Sequence, residues 1–137
     1  MAYAQWVEVK VVVTEGLSVS IKEAKHSSGK FYKLGDKGHE LSPEEINQMV
    51  VIDSSTADKA TICACGRSDA PEGTEGSFVM YSGADKIGRF YWDCPWGKKT
   101  NKIQYISASN KYVVQVEGGN LDSGALGNIV LTVVKIR

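Results

Sequence analysis

The sequence predicts an all-β fold, a β-sandwich formed by a single domain over residues 1–137. Apolar and polar residues alternate along most of the chain, which is the period of strands with one buried and one solvated face. The 14 glycines supply turn signals that separate the alternating segments at the spacing of a sandwich. A chain of 137 residues can also bury a hydrophobic core of its own.

The first two strands are predicted to form a hairpin over residues 6–22. Val7, Val9 and Val11 alternate with polar or charged residues, and the alternation resumes after Thr14-Glu15-Gly16. Gly in a short polar segment between two alternating runs is typical of a hairpin turn.

Further strands are predicted from alternation and from β-branched residues, and turn signals separate them. They cover residues 60–64, 77–82, 87–94, 103–107, 112–117 and 129–136. Gly73-Thr74-Glu75-Gly76 is interpreted as the turn before the second of these strands.

One short helix is predicted near residues 42–49. Ser42 is a favourable N-cap residue, and Pro43 suits the first helical position. Glu45 follows the cap by three residues, which completes a capping-box pattern.

The charge balance excludes some partners. Lys and Arg number 16, and Asp and Glu also number 16. Nucleic-acid-binding domains usually carry a basic surface, so nucleic acid is not predicted as a partner. No cluster of basic residues indicates attraction to an anionic bilayer by bulk charge. Any membrane affinity is therefore expected from specific pockets and aromatic contacts.

The sequence pattern also predicts where the protein is found in the cell. No signal peptide is recognisable near residue 1, and no run of 18 apolar residues indicates a membrane-spanning helix. We expect a soluble protein that is cytoplasmic when made. Secretion would follow a non-classical route, after which the protein would lie peripherally on its target membrane.

The residues that carry reactive side chains do not form a recognisable catalytic or metal site. Cys63, Cys65 and Cys94 are the three cysteines, and His26 and His39 stand at no metal-ligand spacing. We expect buried free thiols, no metal, no cofactor and no catalytic residue. A hydrolase that uses Cys94 is an alternative, although no acid–base partner set can be named for it.

Aromatic residues are concentrated in residues 90–96. Phe90, Trp92 and Cys94 share one strand face, which is expected to be buried. Pro95 lacks a donor N–H and is expected to end the strand, which leaves Trp96 in a loop. Trp96 either contacts a membrane interface or fills a gap under its loop.

Two further features are candidates for binding. Trp6 lies on the polar face of its strand, where it is either a binding platform or a cap on the sheet edge. The polar loop over residues 65–74 carries Arg67, Asp69 and Glu72. A carboxylate of this loop can meet an ammonium head group while Lys98 or Lys99 meets a phosphate. The alternative is a surface loop that only stabilises its own turn.

Four sequence blocks stand in order along nearly the whole chain: Ala2–Val7, Cys65–Ala70 with Glu72–Thr74, Phe90–Gly97 with Lys99–Asn101, and Asn120–Gly127. Together these blocks resemble the aegerolysin family. The resemblance implies a β-sandwich similar to that of actinoporins. It also implies binding to membranes that contain sphingomyelin with sterol or ceramide phosphoethanolamine. Some members recruit a larger perforin-like (MACPF) protein, and the pair then opens a pore.

The resemblance also implies a lipid-binding set in this sequence. Its members are Trp6, Glu72, Tyr91, Trp96 and Lys99. Many members carry Trp where this chain has Ser28, so one large interfacial contact is missing here. A lectin-like sandwich that binds glycan or protein through the same aromatic loops is the alternative function, since aromatic faces also stack on sugars.

Overall fold

The computed structural model describes residues 4–52, 57–67 and 71–136, and these residues form two stacked sheets. The strands are β1 Trp6–Val13, β2 Val19–Ser28, β3 Lys30–Lys33, β4 Asp36–Leu41, β5 Val50–Val51, β6 Thr61–Cys65, β7 Thr74–Ser82, β8 Asp85–Cys94, β9 Lys102–Ser107, β10 Tyr112–Gly118 and β11 Gly127–Lys135. The helices are α1 Pro43–Ile46 and α2 Ala57–Ala60. The predicted all-β sandwich is confirmed.

The six-stranded sheet has the order β10-β11-β1-β6-β3-β4, and the five-stranded sheet has the order β5-β2-β7-β8-β9. Neighbouring strands are antiparallel except for the parallel pair β1 and β11. One core cluster contains Val9 from the first sheet together with Phe78 and Phe90 from the second. The buried faces of both sheets therefore form a single hydrophobic core.

Strand β1 has the predicted alternation. Val7, Val9 and Val11 are buried in the core, whereas Trp6 and Lys10 lie on the outer face of the six-stranded sheet. The valines point inward at every second position because successive side chains of a strand point to opposite faces.

The predicted hairpin over residues 6–22 is wrong. β1 pairs with β6 and β11, whereas β2 pairs with β5 and β7 in the opposite sheet. The turn is present, with a hydrogen bond from the Leu17 N–H to the Thr14 carbonyl oxygen at 3.0 Å. It carries the chain across the sandwich, so both strands bury their apolar faces in one core without pairing. Alternation identifies the buried face of a strand but not its neighbour.

The predicted turn over residues 73–76 is also wrong from Thr74 onward, because β7 already begins at Thr74. Gly76 lies inside this strand, where a Cβ atom would stand 2.7 Å from Cζ2 of Trp92. The glycine leaves room for the indole ring and does not mark a turn. The short strands β3, β4 and β5 were not predicted, since none shows a clear alternation.

The predicted helix is present as the single turn α1. The Ser42 hydroxyl accepts the Glu45 N–H at 3.2 Å, and the Glu45 carboxylate accepts the Ser42 N–H at 3.1 Å. This reciprocal pair is the expected capping box. The one-turn helix α2 was not predicted. No helix in the described residues is long and apolar enough to span a bilayer.

Candidate functional site

Several loops meet where β7 begins and β8 ends, and we call this region the loop end. It comprises Gln5, the turn at Gly29, the described part of the β6–β7 loop at 66–67 and 71–73, and the β8–β9 loop at 95–101. The backbones are in close contact here, because a side chain at Gly73 would overlap the Cys94 carbonyl oxygen. The loops that carry Glu72, Trp96 and Lys99 therefore belong to one end of the sandwich.

Gln5 connects three of these segments and is only 6% exposed. Its side-chain amide donates to the Pro95 carbonyl oxygen at 2.6 Å. Its backbone carbonyl accepts the Gly66 N–H at 3.0 Å. The residue before Trp6 is thus bonded to both loops that carry predicted site residues. Gln5 was not among the predicted site residues, since a single polar residue before a strand does not indicate a role.

Glu72 is half-buried, and its Oε1 atom accepts the backbone N–H of Gly29 at 3.2 Å. Gly29 has φ +77°, a left-handed conformation that favours glycine. The carboxylate therefore bonds the β2–β3 turn directly beside Ser28. Asp69, which was predicted to lie in the same polar loop, falls outside the described residues.

Trp6 is half-buried on the outer face of the six-stranded sheet. Its ring packs against a small buried cluster of Tyr32, Cys63 and Cys65. The Lys37 ammonium lies 5.0 Å from the ring centroid, within the range of a cation–π contact. Trp6 therefore covers this outer cluster, and its ring already has a cationic neighbour.

Tyr91 lies on the outer face of the other sheet, where its hydroxyl donates to Oε2 of Glu75. The Ser27 hydroxyl donates to Oε1 of the same carboxylate at 2.7 Å. These two hydrogen bonds lower the pKa of Glu75, whereas burial and the nearby carboxylate raise the pKa of Tyr91. Glu75 is therefore an ionised group at neutral pH with a fixed orientation.

A pocket of about 220 Å³ opens beside Tyr91, between β2, β7 and β8. We call it the polar pocket, and its polar lining includes Lys25, Ser27, Glu75, Ser77, Arg89 and Tyr91. Glu75 and Arg89 were not among the predicted site residues. Arg89 stands two residues from Tyr91 on one predicted strand, which places both on one face, whereas Glu75 was assigned to a turn.

Trp96 is half-buried directly after Pro95, and Lys99 is exposed in the same loop. Lys99 lies close enough to act on Asp93. Burial and the Glu75 carboxylate raise the pKa of Asp93, and the ammonium groups of Lys102 and Lys99 oppose this rise. Lys99 of the loop end therefore lies near the carboxylates of Asp93 and Glu75 on the outer face of the five-stranded sheet.

Phe90 and Trp92 are fully buried, as their strand face predicted. The Trp92 indole N–H donates to the Thr74 hydroxyl at 3.1 Å. The Trp92 ring centroid lies 6.1 Å from that of Phe31 and 6.2 Å from that of Phe78. The aromatic run is therefore divided between the core and the loop that follows it.

His26 is half-buried beside the loop end, and its ring meets Phe31 edge-on at 5.4 Å. Arg67 and Glu40 form a two-point salt bridge nearby, with N–O distances of 2.9 and 3.0 Å. Burial lowers the pKa of His26, and the Arg67 charge lowers it further. The Glu40 and Glu72 carboxylates act in the opposite direction.

Cys63, Cys65 and Cys94 are free and buried, as predicted. Burial raises the pKa of all three thiols, so little reactive thiolate is present near neutral pH. Across 4–52, 57–67 and 71–136, no group of His, Cys, Asp and Glu is arranged to hold a metal ion.

The five predicted lipid-binding residues do not converge in one cavity. Glu72, Trp96 and Lys99 lie in the loops of the loop end. Trp6 and Tyr91 lie on the opposite outer faces of the sandwich, and the loop end separates them. The arrangement is a surface at one end of the molecule with an extension onto each sheet.

The protein-family model described as Aegerolysin matches residues 4–136. The chain belongs to the aegerolysin family. This places the protein among membrane-lipid-binding proteins of the cytolysin type.

Known proteins resemble this aegerolysin over nearly its whole length. Ostreolysin A6 of Pleurotus ostreatus is 43% identical over 138 residues, which cover 98% of each chain. Asp-hemolysin of Aspergillus fumigatus is 39% identical, covering 99% of this chain and 96% of its own. The crystal structure of RahU protein in complex with a TRIS molecule has a TM-score of 0.91 at 38% identity, with coverage of 99% and 98%.

Proposed function

We propose that this aegerolysin binds sphingolipid-containing membranes through the loop end and catalyses no reaction. The observation that carries the proposal is the connection of the Trp96 and Glu72 loops to the start of β1 through Gln5. Loops held in this way present their aromatic and cationic groups as a preformed surface. Preformed surfaces lose less conformational entropy on binding.

The side chains of the loop end suit the boundary between lipid and water. Trp96 is amphipathic, and tryptophan is favoured at membrane interfaces. Lys99 is exposed in the same loop and can meet a lipid phosphate. The lipid classes that we propose are sphingomyelin with sterol and ceramide phosphoethanolamine.

We further propose that this aegerolysin is the targeting component of a two-component cytolysin. The family resemblance supports this part, since some aegerolysins act with a perforin-like protein. In this division the single small domain lies peripherally on the target membrane and the partner inserts into it.

Vesicle co-sedimentation tests the lipid part of the proposal. The vesicles contain phosphatidylcholine alone, sphingomyelin with cholesterol, or ceramide phosphoethanolamine in phosphatidylcholine. We expect binding to at least one sphingolipid mixture and none to phosphatidylcholine alone. Absence of binding to both sphingolipid mixtures, with glycans bound on an array, would overturn the proposal and favour a lectin.

The variant Trp96→Ala tests whether the loop end faces the bilayer. We expect it to weaken vesicle binding about tenfold or more, as loss of a buried aromatic contact does. The matched control is Val113→Ala, because Val113 is 49% exposed on β10 near the opposite end of the sandwich. Equal binding by the two variants would contradict the proposed orientation.

A further inference from the structure

The polar pocket contains two opposite charges that do not pair with each other. Arg89 is half-buried, and its guanidinium donates to the Ser77 hydroxyl at 3.0 Å. Glu75 stands across the same pocket with its two oxygens oriented by Ser27 and Tyr91. Arg67 pairs instead with Glu40, in a salt bridge that includes neither Arg89 nor Glu75.

A partly buried charge without an ion pair is costly, because burial removes water from it. Arg89 and Glu75 share one pocket, yet hydrogen bonds turn each of them toward hydroxyl groups instead. A ligand with an anionic and a cationic group can form an ion pair with both side chains at once. The pocket is thus complementary to a zwitterion.

We propose that the polar pocket binds a phospho-amine head group, with its phosphate on Arg89 and its ammonium on Glu75, and that it favours a primary ammonium. This deepens the proposed function and rests on it, because a membrane lipid is the source of the head group to which we commit. The guanidinium fork matches phosphate oxygens, and Lys25 at the pocket rim adds a second cation.

The preference for a primary ammonium follows from the acceptors in the pocket. A primary ammonium has three N–H donors, which the Glu75 carboxylate and the Ser27 hydroxyl can accept. A trimethylammonium group has none and is best held by a cage of aromatic rings. Tyr91 and His26 are the aromatic side chains among the lining residues, which is fewer than a cage needs.

The position of the pocket agrees with a lipid source. Glu75 follows Thr74, where β7 begins at the loop end, and it pairs across the sheet with Asp93. The head group of a lipid docked under Trp96 would therefore lie near the acidic side of the pocket. Arg89 lies further along β8, two strand positions beyond Tyr91.

Titration of the full chain followed by amide NMR tests the pocket directly. The probes are O-phosphoethanolamine, O-phosphocholine and inorganic phosphate at the same concentrations. We expect saturable shifts of the amide signals of Ser27, Gly76, Arg89 and Tyr91. The affinity should be highest for O-phosphoethanolamine and about tenfold lower for the other two probes. Equal affinity for inorganic phosphate, or shifts elsewhere only, would overturn the proposal.

Substitutions at Arg89 and Glu75 test the contribution of each charge to binding separately. Arg89→Gln is expected to weaken O-phosphoethanolamine binding about tenfold or more, whereas Arg89→Lys keeps part of it. Glu75→Gln is expected to abolish the preference over inorganic phosphate. Lys86→Gln is the matched control, because Lys86 is exposed on the same strand. Thermal unfolding of each variant shows whether it has folded, and unchanged binding by folded Arg89→Gln would refute the assignment.

Vesicles distinguish this inference from the proposed function. We expect Arg89→Gln to lose more binding to ceramide phosphoethanolamine vesicles than to sphingomyelin–cholesterol vesicles. If Arg89→Gln binds all vesicles like the parent while Trp96→Ala does not, the pocket assignment fails and the proposed function stands. If O-phosphoethanolamine saturates the pocket but no vesicle binds, the pocket stands and the proposed function fails.

Discussion

The side-chain amide of Gln5 donates a hydrogen bond to the backbone carbonyl oxygen of Pro95, with 2.6 Å between the two atoms. Gln5 precedes Trp6, and Pro95 precedes Trp96, so this bond joins the two segments that carry the tryptophans. Because Gln5 also accepts the Gly66 N–H, it fixes the β6–β7 loop to the same point.

Gln5→Glu removes the donor and leaves a carboxylate against the Pro95 carbonyl oxygen. We expect the free energy of unfolding to fall by about 1–3 kcal/mol, the cost of an unsatisfied buried polar group. Vesicle binding should weaken as well, because Trp96 loses its fixed position. Urea unfolding and co-sedimentation measure the two effects, with Gln115→Glu on an exposed position as the control. Parent-like results in both assays would show that the bond does not position the loop.

The two tryptophans of the aromatic run should respond differently to truncation. Trp92 is fully buried and bonded to Thr74, so Trp92→Ala should lower the free energy of unfolding by about 3–5 kcal/mol. Trp96 is half-buried in a loop, so Trp96→Ala should lower it by about 1 kcal/mol or less. Urea unfolding measures both, and a large loss with Trp96→Ala would show that its ring fills the core.

The sequence determined the buried faces better than the neighbours of each strand. Alternation placed Val7, Val9 and Trp92 correctly because side-chain direction along a strand is a local property. The hairpin over residues 6–22 failed because pairing depends on the whole topology. Likewise, the contacts of Glu72 and Glu75 join segments 43 and 48 residues apart, a separation that no local pattern encodes.

Two Glu72 variants distinguish the carboxylate's hydrogen bond from its charge. Glu72→Gln keeps an oxygen for the Gly29 N–H, whereas Glu72→Ala removes it. We expect the Ala variant to change the ratio of binding between sphingomyelin–cholesterol and ceramide phosphoethanolamine vesicles, because the turn beside Ser28 loses its support. The Gln variant should stay close to the parent. If both variants shift the ratio equally, the negative charge and not the hydrogen bond is responsible.

The cysteines should be inert in the folded protein. All three are buried, and burial raises the pKa of each thiol, so both access and thiolate are lacking. Mass spectrometry after iodoacetamide treatment should show no labelled cysteine in buffer and full labelling in urea. Vesicle binding should be unchanged by the treatment in buffer. Rapid labelling of Cys94 in the native state would revive the hydrolase alternative.

Acidification should destabilise the protein partly through His26. Its pKa is lowered in the folded state by burial and by Arg67, so the unfolded chain binds this proton more readily. The stabilising contribution is therefore complete above pH 6.5, the ordinary histidine value, and is lost as the pH falls through the lower folded-state pKa. His26→Gln removes the edge contact with Phe31 at every pH, so the slope of stability against pH is the informative quantity.

Urea unfolding between pH 7.5 and pH 5, at about half-unit steps, should give a shallower slope for His26→Gln than for the parent. His39→Gln, at an exposed position of β4, is the control for the loss of a histidine outside the loop end. Parallel curves for His26→Gln and the parent would show that His26 does not couple protonation to folding.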